Sequence, residues 1–206
     1  LDIPYYVLDY TESFSKNVVD NFIDMYAQGL TPNPCVECNR SVKFDHFLNQ
    51  AKKLNCEKVA TGHYAKIIKN ENFYELHKAD YLDKDQSYVL HMLKSDDLEN
   101  ILFPLGEITK PEVRQIAARL GLKTAFKKDS QDICFVGKKD YRSFVEKRID
   151  LTSPGEIFDV NGNKVGNHNG IHEFTVGQRK GLPGGQATPR YVCLLYTSPS
   201  PRDTPI

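Results

Sequence analysis

The chain has 206 residues, of which 40% are hydrophobic and 26% charged, and this excludes a wholly disordered protein. Its 27 basic and 27 acidic side chains cancel, which excludes a uniformly basic nucleic-acid clamp but leaves room for a local basic face. No apolar run approaches the roughly 18–20 residues of a membrane span, so no membrane partner is expected.

Leu1-Asp2-Ile3-Pro4 reads as the interior of a domain and carries no signal segment. Tyr5-Tyr6-Val7-Leu8-Asp9 is a short apolar and aromatic run that predicts a strand. Val18, Phe22, Ile23 and Met25 recur at near-helical spacing until Gly29, Pro32 and Pro34 stop the helix. A second helix is predicted from about Cys38, with Phe44, Phe47, Leu48, Ala51 and Leu54 on one face. Lys58-Val59-Ala60-Thr61 predicts a buried strand ending in the turn Gly62-His63, so strand, helix and strand suggest an α/β unit. Thr109-Lys110-Pro111-Glu112 is a capping box that opens a helix with the apolar stripe Val113, Ile116, Ala117 and Leu120. Tyr141, Phe144, Val145 and Ile149 mark another short helix. From Pro154 the pattern turns to β. A hairpin is expected over Glu156–Gly166 around Asn161-Gly162, and a further strand over His172–Val176. The Ser/Pro/Thr-rich end, about residues 194–206, is expected to be foreign sequence or a disordered linker.

Charge is uneven along the chain. Residues 1–106 hold 11 basic and 16 acidic groups, residues 107–150 hold 11 and 7, and residues 151–206 hold 5 and 4. The middle segment is either a solvated helical surface or a platform for phosphate backbone.

Five cysteines, an odd number at irregular spacing, argue against a secreted disulfide framework and for a cytoplasmic protein. Cys35 and Cys38 follow the stiff Thr31-Pro32-Asn33-Pro34 segment. At a helix N-terminus, with Arg40 and Lys43 close by, Cys38 would be stabilised as a thiolate. Half a zinc site, a thioredoxin-like redox pair or two passive small hydrophobes remain open for this C-x-x-C. Cys134 stands between Ile133 and Phe135, which suggests burial, yet it follows the polar run from Lys127, with Lys128 beside it, which suggests a loop. Cys56 and Cys193 read as structural. Gly62 at a strand end allows close approach of a ligand to backbone, and His63 could meet phosphate or a base. Lys84-Asp85-Gln86-Ser87-Tyr88 and Gly177-Gln178-Arg179-Lys180-Gly181-Leu182 are polar, basic turns that fit an RNA backbone or a solvated loop equally.

Taken together, Thr31–Arg40, Ala60-Thr61-Gly62-His63-Tyr64, Lys84–Tyr88, Asp129–Gly137 and Phe174–Leu182 resemble, in this order, the bacterial tRNA-specific 2-thiouridylases, over about residues 1–193. The resemblance implies an N-type ATP pyrophosphatase (Rossmann-like) α/β part over 1–75 and a mostly helical, tRNA-binding central domain over 76–150. The start of a C-terminal β-barrel over 151–193 and the tail at 194–206 would follow. It implies ATP, with Mg2+, and adenylation of the 2-carbonyl oxygen of a wobble uridine, then its replacement by sulfur from a cysteine persulfide. Cys38 takes the position of the nucleophile and Cys134 that of the persulfide carrier. Gly62 takes the ATP contact, Asn33, Pro34 and Cys35 the target-base loop, and His63, Lys84, Asp85 and Gln86 further tRNA contacts. A disulfide bond and a persulfide-donating relay protein or cysteine desulfurase belong to the same implications. The family's Ser-Gly-Gly-x-Asp-Ser phosphate loop does not occur in these residues, so this chain by itself is not expected to activate uridine. Many members carry Asp where Cys35 stands, so Cys35, Cys38 and Cys134 could instead hold an iron–sulfur cluster. The rival class is a non-catalytic RNA-binding module built on the basic middle segment, indifferent to Cys38 and Cys134.

Overall fold

The computed structural model describes residues 3–127, 132–137, 140–183 and 189–196, and they divide into two units. The first comprises Leu1–Val18 and Pro34–Gln131, the second Val19–Asn33 and Asp132–Ile206.

In the first unit, helix α1 (Thr11–Phe14) runs directly into a π-helical stretch, Ser15–Asp20, whose last two residues already belong to the second unit. Helix α3 (Pro34–Glu37) opens with proline at its first position, where the missing N–H costs nothing. A second π-helical stretch, Cys38–Phe44, follows and leads into α4 (Asp45–Lys53). Strand β1 (Val59–Ala60) pairs in parallel with β4 (Ile101–Leu102). Between them lie the antiparallel hairpin β2 (Ala65–Lys69) and β3 (Tyr74–Lys78), and the short helix α5 (Ser95–Leu98). The core gathers Phe44, Leu48 and Ala51 from the helix with Val59, Ala65, Val89, Leu90 and Ile101. Phe44, Leu90 and Ile101 are almost wholly buried, and each contributes roughly 2–3 kcal/mol of transfer free energy.

In the second unit, helix α2 (Asn21–Ala27) supplies Phe22, Ile23 and Tyr26 to a core shared with Val145 of α7 (Tyr141–Glu146). Phe22 meets Phe135 edge to face at 5.3 Å, and Tyr26 stacks on Tyr141 at 4.7 Å. Strands β5 (Gly155–Phe158) and β6 (Lys164–His168) form the expected hairpin. Its loop is closed by the Asp159 carboxylate, which accepts from the N–H groups of Asn161 and Asn163, with Gly162 at φ +80°.

Helix α6 (Lys110–Arg119) carries the full capping box between Thr109 and Glu112. The stripe expected to bury it stays open, however, with Ile116 and Leu120 exposed. The strand expected over Tyr5–Asp9 is not formed. No described strand pairs with it, so its backbone groups have no ladder, and Tyr5, Tyr6 and Val7 stay exposed. The strand expected over His172–Val176 is replaced by a 3-10 turn at Ile171–Glu173, because Glu173 and Phe174 donate back to Gly170 and Ile171. Among the described residues the sheets are two-stranded and none closes into a barrel. No helix of the described residues is long and apolar enough to cross a membrane. The calls at Lys128–Gln131 and over 197–206 lie outside the described residues.

Gly106 shows how tightly the first unit closes. Its carbonyl accepts from the Asp80 N–H at 2.9 Å, and a Cβ there would collide with the Ala65 carbonyl of β2. Gly106→Ala is therefore expected to destabilise the chain by about 2 kcal/mol or more in urea unfolding, whereas an unchanged midpoint would contradict this packing.

Candidate functional site

β1 is held to β4 by Val59 N–H to the Asn100 carbonyl at 2.9 Å and by Thr61 N–H to the Leu102 carbonyl at 3.1 Å. The chain leaves β1 at its carboxyl end through Thr61-Gly62-His63, the place where open parallel sheets receive ligands. Beside this turn lies a cleft of about 570 Å3. Tyr6, Tyr10 and Phe47 give it apolar walls, while Lys43, His63 and Gln86 give it polar ones. A Cβ on Gly62 would only touch Leu105 at 3.7 Å. The fold itself thus tolerates a side chain there, and Gly62 lines the cleft.

His63 is 9% exposed and sits between Phe44 and Phe103, each ring centroid 6.0 Å away. Its Nδ1 pairs with the Thr61 hydroxyl at 2.8 Å. Burial, and then the nearby Lys43 charge, push its pKa down to about 4, so the ring is neutral near pH 7. It meets a ligand as a neutral hydrogen-bonding group.

Lys84, Asp85 and Gln86 come next to the same turn. The Gln86 N–H donates to the Tyr64 carbonyl at 2.8 Å, and its Oε1 accepts from the Tyr64 N–H at 3.1 Å. Asp85 accepts from the Ala79 N–H at 2.8 Å and from the Ser87 hydroxyl at 2.7 Å. The carboxylate of Asp85 and the amide oxygen of Gln86 are thus engaged inside the protein, and they position the loop. The sequence offered them only as surface contacts.

Cys38 is half-buried and begins the π-helical stretch, one full turn after the helix starts at Pro34, so it is not at the N-terminus expected from sequence. Cys35, within the first turn, is exposed. Arg40 is spent on Glu37, with Nη2 at 2.7 Å and Nε at 3.1 Å from its two oxygens. Asn33 is exposed, while Pro32 and Pro34 are buried. In the second unit, Ile133, Phe135 and Val136 pack into the core and the Val136 N–H donates to the Ile133 carbonyl at 3.1 Å. That turn leaves Cys134 exposed between its buried neighbours. Gln178 likewise pins its own turn: its Oε1 accepts from the Thr175 N–H, its Nε2 donates to the Lys180 carbonyl, and Arg179 and Lys180 remain exposed.

All five cysteines are free thiols, so the expected disulfide is not formed. Cys56 and Cys193 are exposed and pack no core, against their expected structural role. Among the described residues no three His, Cys, Asp or Glu side chains converge on a metal position. Sequence reading missed Tyr6, Tyr10 and Phe47 as walls of the cleft; only their aromatic character signalled them.

The buried neutral state of His63 makes stability depend on acid. The unfolded chain takes up a proton near pH 6.5 that the folded chain refuses until about pH 4, so stability rises with pH across that window and is lost as pH falls through it. His63→Gln is expected to flatten the dependence of the unfolding midpoint on pH between 4 and 6.5. A slope equal to wild type would contradict the burial.

The family model described as the tRNA methyl transferase HUP domain matches residues 1–138, and that of the tRNA methyl transferase PRC-barrel domain matches residues 142–198. A tRNA-specific 2-thiouridylase of Chloroflexus aurantiacus is 50% identical over 197 residues, covering 95% of this chain and 55% of the relative. Those of Leptospira interrogans and Rickettsia conorii are 48% and 47% identical, again over 95% of this chain and over 52% and 53% of their own lengths. The chain thus spans about half the length of the curated relatives it matches. With a HUP domain followed by a PRC-barrel domain and about half its residues shared with such enzymes, the chain belongs to the tRNA-specific 2-thiouridylase family.

Proposed function

We propose that the protein of which these residues are part converts a wobble uridine of tRNA to 2-thiouridine at the expense of ATP. The observation that carries this reading is the cleft at the end of β1, which gathers the apolar rings of Tyr6, Tyr10 and Phe47 with Gly62, neutral His63 and the Lys43 ammonium. Planar bases favour such a wall, and a glycine in it lets a flat or anionic group approach the backbone. Gly62 is assigned to the nucleotide, and His63 with the Asn33–Cys35 segment to the target base. Lys84, Arg179 and Lys180 are assigned to tRNA phosphates, with Asp85 and Gln86 holding the loop beside them. No carboxylate is among the described residues that line the cleft, so they offer Mg2+ no carboxylate ligand.

The chemistry balances on two cysteines. The uridine O2 attacks the α-phosphorus of ATP and pyrophosphate leaves, which turns a poor leaving group into AMP. The terminal sulfur of a Cys134 persulfide attacks C2 and expels AMP. The Cys38 thiolate then attacks the Cys134 sulfur, breaking its bond to the transferred sulfur. The products are 2-thiouridine and a Cys38–Cys134 disulfide. An external thiol reductant must reopen that disulfide, and a persulfide-donating relay protein or cysteine desulfurase must reload Cys134. The free, exposed thiol of Cys134 suits the loading step.

Mass spectrometry of nucleosides from tRNA modified by the whole enzyme tests the assignment. Cys38→Ser and Cys134→Ser are each expected to abolish 2-thiouridine, and Cys56→Ser to leave it near wild type. Normal yield from either of the first two would overturn the mechanism. The RNA face has its own test in a salt titration of tRNA binding. Lys84→Ala, Arg179→Ala and Lys180→Ala are each expected to lower the magnitude of the slope by about one unit for each lost phosphate contact, with sequence preference unchanged. Wild-type slopes in all three would make these turns ordinary solvated loops.

A further inference from the structure

The π-helical stretch Cys38–Phe44 does something that an α-helix would not. Its closing bond runs from the Asp45 N–H to the Arg40 carbonyl, five residues back. The Ser41 hydroxyl also donates to the Glu37 carbonyl at 2.9 Å, a back-bond that loosens the ordinary ladder. In such a turn residue i+5 lies nearly over residue i, whereas an α-helix would carry it about 140° away. The residue five after Cys38 is Lys43. The wider turn therefore brings the lysine onto the side of the helix that carries the cysteine.

Lys43 is exposed and lines the cleft together with Gly62, His63 and Gln86. The other cation of this turn, Arg40, is held by both oxygens of Glu37. No carboxylate lines the cleft to neutralise Lys43. Its charge is felt by His63, which is itself uncharged there. The described lining of the cleft thus combines one ammonium with aromatic rings and no carboxylate.

We propose that Lys43 binds the phosphate of the nucleotide in this cleft, with the base against Tyr6, Tyr10 and Phe47. Its place one π-turn from Cys38 sets the phosphate of the leaving AMP on the same side of the helix as the thiol that completes sulfur release. The ammonium draws that phosphate away from the carbon under attack, and a neutral His63 beside it adds no second cation to compete. The proposal rests on the nucleotide reading above and adds to it the residue that recognises the anion.

Equilibrium binding of AMP and of adenosine to the whole enzyme separates the two ideas. In wild type, AMP is expected to bind about tenfold more tightly than adenosine, the difference shrinking with added salt. Lys43→Ala is expected to bring AMP down to the affinity of adenosine while leaving adenosine unchanged, and Lys43→Arg to restore part of the preference. Lys52→Ala, near the end of α4 and outside the cleft, serves as the control and should keep the wild-type preference. If Lys43→Ala retains the full preference for AMP, or if wild type shows none while adenosine still binds, the role of Lys43 is overturned and the nucleotide reading survives. If neither ligand binds wild type, both fall. Lys43 is exposed, so its variants should keep the wild-type circular dichroism and unfolding midpoint.

Discussion

Two hydrogen bonds between Tyr64 and Gln86 hold the candidate site together. They run from the Gln86 N–H to the Tyr64 carbonyl and from the Tyr64 N–H to the Gln86 side chain. They clamp the Ala60–Tyr64 strand end to the Lys84–Tyr88 loop, and through it fix Gly62 and His63 at one wall of the cleft. Asp85 extends the clamp to Ala79 and Ser87. Each bond contributes only about 1 kcal/mol net, but a buried donor or acceptor left without its partner costs more. The arrangement is therefore specific rather than merely stable. The His63 ring then fills the gap between Phe44 and Phe103, which ties the site to the core of the first unit.

Much of this was legible in the sequence. The capping box at Thr109 and Glu112 appears as read, because its four residues satisfy each other locally. The hairpin around Asn161-Gly162 was equally local, set by one aspartate and one glycine with positive φ. The helix through Phe44, Leu48 and Ala51 followed from its apolar face, and those residues do enter the core. Gly62 and His63 were singled out correctly as a turn after a strand, though nothing local foretold that the ring would be buried.

What could not be read depended on partners or on unusual geometry. Tyr5–Asp9 has the composition of a strand, but strand structure requires a neighbouring ladder, and none of the described strands supplies one. Cys38 was expected at a helix start because Pro32 and Pro34 look like breakers. Pro34 instead occupies the first helical position, where proline is welcome. The π-turn has no sequence signature that would distinguish Lys43 from any other surface lysine. Asp85 and Gln86 also hold their own loop, through Ala79, Ser87 and Tyr64, a role that polar side chains in a turn do not announce in sequence.

The proposed function and the role of Lys43 both require the nucleotide to sit in the cleft beside Gly62 and His63. The most direct measurement is photolabelling with 2-azido-AMP, followed by peptide mapping of the labelled chain. Saturable labelling, displaced by AMP, is expected on peptides that contain Tyr6, Tyr10, Phe47 or the Thr61–Tyr64 segment. Labelling that saturates on peptides of residues 132–206 instead, or none that AMP displaces, would contradict it.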